Sequence, residues 1–411
     1  MRSKTLLAGA LAAGSMALGC KLWKSSNIRR RNRNLPGDQR IVILGAGFAG
    51  MNTAQELSKL LPAGKDGTIS LIDQNNFLLF TPMLTEVAGG ELEPRHIVAP
   101  PRRLSPRIDF EQGRVREIDL KNKSIVLSAG PDGNSQRTLQ ADHLVIALGS
   151  VPNFHDIPGV QEHSLPIKSI GDAAAIRNRV LGALECAHWE PDAKVRREIL
   201  TFVVGGGGYT GVETMAALND LARTSVRDYP NVQPDEIGTL IVEPGERLLG
   251  EISPDLASFA QKKLEEHGVR ILLKTKIASA SASYVELEGG RRIPARTLIW
   301  AAGITPNPLI GKLDAQRGHH GGIVVDECCA VPGHPGVWAL GDCAEVPKAG
   351  SKDTYAPTAQ NATREGAWVA KNIVATLRGE KPQPFVFTPI GELALVGRHS
   401  GVAKIYGRHF S

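Results

Sequence analysis

The stretch IVILGAGFAGMNTAQEL, residues 41–57, decides the fold. A short apolar run ends at Gly45, and the residues after it carry a helical period. Gly45, Gly47 and Gly50 stand in a G-x-G-x-x-G frame. In that frame the glycines have three duties: a tight turn, close approach of backbone to a pyrophosphate, and close packing of helix on strand. The helix that follows offers unpaired N–H groups and a partial positive charge to phosphate. Residues 201–218, TFVVGGGGYTGVETMAAL, repeat the pattern with Gly206, Gly208 and Gly211. One such motif is weak evidence. Two in one chain point to two dinucleotides.

Each fingerprint is followed by an acid at the end of a second apolar run. TISLIDQNN carries Asp73, 23 residues past Gly50, and GTLIVEPGE carries Glu243, 32 residues past Gly211. An acid at that point accepts both hydroxyls of an adenosine ribose and repels a 2′-phosphate. The second site is therefore expected to prefer NADH to NADPH.

The net charge of +6 is unevenly spread. Residues 1–35 hold eight Lys or Arg and no acid, while the remainder holds 40 basic and 42 acidic residues. The folded body is thus close to neutral, and the basic end is a local device that argues against a nucleic-acid partner. Within that end lies Thr5–Cys20, TLLAGALAAGSMALGC, flanked by positive charge. Sixteen residues are short for a spanning helix and long for a signal h-region. Two positives precede it and six follow, which places the body on the cytoplasmic side of an uncleaved anchor. Cleavage, or lipidation at Cys20, would export the body, away from its cytoplasmic fuel.

Five cysteines occur, with no C-x-x-C and none on the helix after Gly50, where a flavin-linked disulfide reductase would carry its redox pair. Reduced structural thiols are the expectation. No metal-ligand spacing appears, and His319-His320 reads as a solvated loop pair.

The order of apolar runs predicts an α/β fold with two Rossmann-like dinucleotide-binding domains, one inserted in the other, behind an N-terminal hydrophobic anchor. The expected boundaries are 1–39 for anchor and basic linker, 40–165 and 296–385 for the two parts of the outer domain, and 166–295 for the inserted one. Residues 386–411 are read as the start of a C-terminal region, cut short. Strands are expected at residues 41–45 and 144–150, and helices at about 171–187, 254–267 and 358–377.

In combination these motifs resemble the two-dinucleotide flavoproteins, and more narrowly type II NADH dehydrogenase, the single-subunit NADH:quinone oxidoreductase; the resemblance covers residues 40–411. LGAGFAG with Asp73 resembles the family's FAD fingerprint, which implies Gly45, Gly47, Phe48, Ala49, Gly50 and Asp73 as FAD-binding residues. FLLFTPMLTEVAGGELEPRHI is similar to a further family passage. VIALGS with Gly149, ALGDCA with Asp342, and Ala359 complete the implied FAD site. GGGYTGVE with Glu243 resembles the NADH fingerprint, so that Gly206, Gly208, Gly211, Glu213, Glu243, Ala302 and Gly303 would meet NADH. PTAQNATREG resembles the helix start facing flavin and quinone, which brings in Thr358, Ala359 and Gln360, with Glu213 and Gln360 as the catalytic pair.

Two departures stand out. The family's usual second glutamine is Arg364 here, which would face the quinone pocket as a fixed cation, mark a different acceptor, or pair with Glu365 or another acid. The chain also ends at GVAKIYGRHFS, where the family continues into a membrane-docking region. The resemblance implies FAD and NADH as cofactors, a quinone as partner, a membrane-associated enzyme of the respiratory chain that pumps no protons, and a possible homodimer. Alternatives are a sulfide:quinone oxidoreductase, which needs a reactive cysteine pair at the flavin, and an NAD(H)-binding flavoprotein with a signalling role.

Overall fold

The computed structural model describes residues 39–411 apart from 63–68, 130–132, 134, 352, 389–390, 399 and 411. The anchor expected at Thr5–Cys20 lies outside the described residues. Among those described, no helix is long and apolar enough to cross a membrane.

Along the chain the helices that build the layers are α1 (Phe48–Leu60), α2 (Leu84–Ala88), α3 (Ile170–Trp189), α4 (Tyr209–Ser225), α5 (Pro254–Glu266) and α6 (Ala359–Leu377). They cover two five-stranded parallel sheets. In the first sheet the order is Val337–Ala339, His143–Ile146, Ile41–Leu44, Ile69–Asp73 and Ile108–Gln112. In the second it is Ser164–Pro166, Thr297–Trp300, Thr201–Gly205, Gly238–Val242 and Val269–Leu272. The strand entering a glycine turn is third in both, and its fourth-place neighbour ends at, or one residue before, the acid. Both third strands are almost wholly buried, as parallel strands covered on two faces must be.

The chain enters the second sheet from the first and later returns. An antiparallel ladder of Ser150–Pro152 with Ile304–Pro306 marks both crossings. Two three-stranded antiparallel sheets, at residues 114–140 and 277–294, accompany the two parallel ones. The last described residues form a third, Gly391–Leu395, Gly401–Ile405 and Arg408–Phe410, which lies against α4 and α5.

The strand expected over 144–150 stops at Ile146. Gly149 then takes φ +66°, and the chain turns out of the sheet. The helix expected from Thr358 begins one residue later, because the Thr358 side chain caps it by accepting from Asn361 N–H.

Candidate functional site

At each turn the glycines are forced by contact. A Cβ on Gly50 would lie 1.9 Å from the Gly45 carbonyl oxygen, and one on Gly211 would lie 1.9 Å from that of Gly206. Gly45 and Gly206 adopt φ +101° and +105° and press on the Ala147 and Ala301 backbones respectively. These contacts seat α1 and α4 against their strands. Gly47 and Gly208 differ: a Cβ at either would meet nothing within 4 Å. They are the N-caps of α1 and α4, and no side chain caps either helix. Free helix N–H groups facing open space fit a bound pyrophosphate at both turns.

The acids are bonded to the turns themselves. Asp73 Oδ2 accepts the Ala46 N–H at 2.7 Å, and its Oδ1 accepts Asn75 N–H at 2.7 Å. Glu243 Oε2 accepts the Gly207 N–H at 2.6 Å, and its Oε1 accepts Gly245 N–H at 2.6 Å. Burial pushes the Asp73 carboxyl above its ordinary value, and hydrogen bonds from Ala46 and Asn75 oppose this.

Around the first turn the structure gathers Phe48, Ala49, Gly341 and, from α6, Ala362 and Gly366, with Asp342 next along the chain from Gly341. Phe48 packs edge-on against Phe80 at 5.6 Å, which seats the FLLFTPM passage beside α1. Gly341 approaches Ala49, and a Cβ on Gly366 of α6 would lie 2.3 Å from the Ala49 carbonyl oxygen. Asp342 Oδ2 accepts the Ser150 hydroxyl at 2.6 Å. Its neighbour Glu365 is a residue sequence reasoning missed as a site component. It is 3% exposed, and its Oε2 accepts Gly341 N–H at 2.8 Å. Burial pushes its carboxyl up to about 7.

Around the second turn, Gly303 takes φ +129°, and His155 Nε2 lies 2.7 Å from the Ala302 carbonyl oxygen. Glu213, on the first turns of α4, accepts Leu395 N–H at 3.1 Å through Oε1. Crowding by protein atoms pushes its carboxyl up to about 8, and the nearby Glu86 charge adds to the rise. Glu86 belongs to the FLLFTPMLTEVAGG passage, so a signal was present; its link to Glu213 was not visible in sequence.

Gln360 donates through Nε2 to the Gly391 carbonyl oxygen at 3.3 Å. The single strand Gly391–Leu395 therefore touches Gln360 at one end and Glu213 at the other, roughly 13 Å apart at strand rise. Arg364 forms no ion pair among the described residues, and the pairing with Glu365 considered from sequence is not found. Consecutive residues do not share a helix face: Glu365 turns inward to Gly341, and the Arg364 guanidinium lies 4.2 Å over the Phe387 ring while donating to the Gln360 carbonyl oxygen at 3.0 Å. Burial lowers its pKa from the ordinary value.

The cysteines among the described residues are free thiols. Cys329 and Cys343 are buried, and burial pushes both thiols up, Cys343 to about 12. His319 and His320 are exposed, and no group of three metal-ligating side chains is found among the described residues.

A doubled nucleotide turn on matching sheets, with an acid beside each, defines a two-dinucleotide oxidoreductase fold. The family model for pyridine nucleotide-disulphide oxidoreductases matches residues 39–366. A probable NADH dehydrogenase of Dictyostelium discoideum is 30% identical over 385 residues, 92% of this chain and 83% of that protein. A type II NADH:quinone oxidoreductase of Staphylococcus aureus is 27% identical over 375 residues, 90% of each. The solved structure of NDH2 from Plasmodium falciparum in complex with NADH matches with a TM-score of 0.82 at 22% identity, over 90% of this chain and 91% of that one. The chain belongs to the pyridine nucleotide-disulphide oxidoreductase family, on its type II NADH dehydrogenase branch.

Proposed function

We propose that the protein takes a hydride from NADH onto FAD and passes two electrons to a membrane quinone, without pumping protons. The observation that carries this reading is the equivalence of the two turns, each with an uncapped helix N-terminus and an acid bonded to the turn's own N–H. FAD, when bound, supplies the two-electron redox step. Everything else falls to the chain's own residues.

In this reading residues 40–165 and 296–385 hold FAD, and 166–295, inserted between them, hold NADH. Gly45, Gly47, Phe48, Ala49 and Gly50 receive the FAD pyrophosphate, Asp73 its adenosine ribose, and Gly149, Asp342 and Ala359 the flavin side. Gly206, Gly208 and Gly211 receive the NADH pyrophosphate, Glu243 its ribose, and Ala302 and Gly303 the nicotinamide end. Thr358, Ala359, Gln360 and Arg364 line the quinone end.

Glu213 holds a proton near neutral pH, because burial disfavours its charged form. It is therefore placed to bind the carboxamide of NADH or to give a proton to the reduced quinone. The 27%-identical staphylococcal relative is named for quinone reduction, which supports the acceptor. The protein would act from the cytoplasmic face of a membrane, tethered by Thr5–Cys20.

Stopped-flow absorbance tests the reading. The FAD-loaded protein is mixed anaerobically with NADH, then with a short-chain quinone. Fast bleaching of the flavin band at about 450 nm, then rapid return on quinone, is the expected result. Bleaching without return would remove quinone as the acceptor and leave the NADH site standing.

A further inference from the structure

Residues 153–155 follow the ladder strand Ser150–Pro152 and form a collar that has no part in the reading above. The collar faces residues 300–303, just before the returning strand Ile304–Pro306. Three bonds tie the two segments. Asn153 N–H donates to the Gly303 carbonyl oxygen at 3.1 Å, and the Asn153 carbonyl oxygen accepts the Trp300 indole N–H at 2.7 Å. His155 Nε2 bonds the Ala302 carbonyl oxygen at 2.7 Å. A carbonyl oxygen only accepts, so Nε2 carries the proton.

The His155 ring is held in place on several sides. The residue's own N–H donates to Asn153 Oδ1 at 2.9 Å, and the ring packs edge-on against Trp300, with centroids 6.3 Å apart. It also fills the room beside Gly303, where a Cβ would lie 2.9 Å from Nε2. The backbone bends to deliver it. His155 and Asp156 both take φ +53°, a left-handed conformation uncommon outside glycine and kept only where surrounding contacts impose it. On its other side Trp300 reaches the second glycine turn. A Cβ on Gly205 would lie 3.0 Å from the indole ring, and one on Gly206 would lie 2.8 Å from the Ala301 carbonyl. Collar, residues 300–303 and glycine turn are one packed unit.

We propose that His155 is a positioning residue for hydride transfer: by fastening the Ala302 carbonyl it fixes the backbone against which the nicotinamide end of NADH lies. This rests on the reading that Ala302 and Gly303 meet that end. In the same reading Gly206, Gly208, Gly211 and Glu243 grip the pyrophosphate and ribose. His155 therefore bears on the hydride step more than on affinity, since a misplacement of about 1 Å slows such a step roughly a hundredfold.

The test pairs stopped-flow reduction of the flavin by NADH with calorimetric titration of the holoenzyme with NAD⁺. His155→Phe keeps a ring against Trp300 and removes the donor, while His155→Gln returns an N–H donor at a similar reach. His155→Phe is expected to lower the limiting bleaching rate at saturating NADH about tenfold, with NAD⁺ affinity within roughly threefold of wild type. His155→Gln should recover most of that rate. A limiting rate in the Phe variant within about twofold of wild type would overturn the proposal. Equal loss in the Phe and Gln variants would do the same, since the bond to Ala302 would then carry nothing. An equal slowing of reoxidation by quinone would also overturn it, by making His155 a support of the flavin site as a whole. Failure of NADH to bleach the wild-type flavin would instead overturn the reading of the second turn as an NADH site, before any variant is compared.

Discussion

Asp73 and Glu243 make the same pair of hydrogen bonds on two different sheets. Each accepts an N–H from inside its glycine turn and another from the residue two positions further along its own chain segment. The carboxylate thus fixes the turn, and in the proposed function its outer lone pairs meet a ribose. A hydrogen bond to a charged group is worth about 1.5–3 kcal/mol. Glu243→Ala should therefore raise the KM for NADH roughly tenfold or more, and improve the relative use of NADPH. Steady-state kinetics with both nucleotides checks this; unchanged selectivity would remove Glu243 from the ribose.

The glycines of each turn separate into two kinds. Gly211→Ala puts a Cβ onto the Gly206 carbonyl oxygen, so α4 must shift from its strand, and a lower melting temperature is expected. Gly208→Ala meets no protein atom and occupies space assigned to phosphate. It should keep its melting temperature within a degree or two, roughly the effect of a surface change, while NADH affinity falls at least about tenfold. A loss of stability at Gly208→Ala equal to that at Gly211→Ala would contradict the assignment.

Glu213 gives a pH signature. Its carboxyl is pushed up to about 8 by burial, while an unfolded chain would release that proton near its ordinary value. Between those limits the native state holds a proton the unfolded state lacks, so stability falls as pH rises through this window and levels off above about 8. Glu213→Gln should flatten that part of the stability curve. If the same proton serves the quinone, the quinone half-reaction should slow above pH 8 in the wild type and lose that break in the Gln variant. Parallel pH profiles for wild type and Gln variant would exclude Glu213 from the proton path.

Gln360 and Glu213 dock on one strand, yet their substitutions should separate. Gln360→Ala is expected to slow flavin reoxidation by quinone about tenfold and to leave NADH-driven bleaching nearly unchanged. Equal loss in both half-reactions would make Gln360 a residue that positions flavin.

The glycine turns and their acids were legible in sequence because they are local: each is a strand, a turn and a helix within a few residues. The middle strands were legible for the same reason, since burial on both faces gives uninterrupted apolar runs. What could not be read were contacts between distant segments. Lys168 meets Asp342 across 174 positions and Glu213 meets Leu395 across 182. Nothing in the local pattern of either partner announces the other. Arg364 was seen as a departure, but its resting place on Phe387 depends on where the segment after α6 returns. Glu365 was hidden because a glutamate in a long helix reads as solvated surface until the helix is packed.

The strand order of the first sheet also bears on how the chain is made. Its outer strand, Val337–Ala339, pairs with His143–Ile146 across all of residues 147–336. The second sheet is built wholly from residues 164–300 within that span. During synthesis the second sheet can close as soon as Trp300 emerges, while the first waits on its rim for a strand not yet translated. Loop closure over so long a span is slow. The half of the molecule that begins first is therefore the half that finishes last.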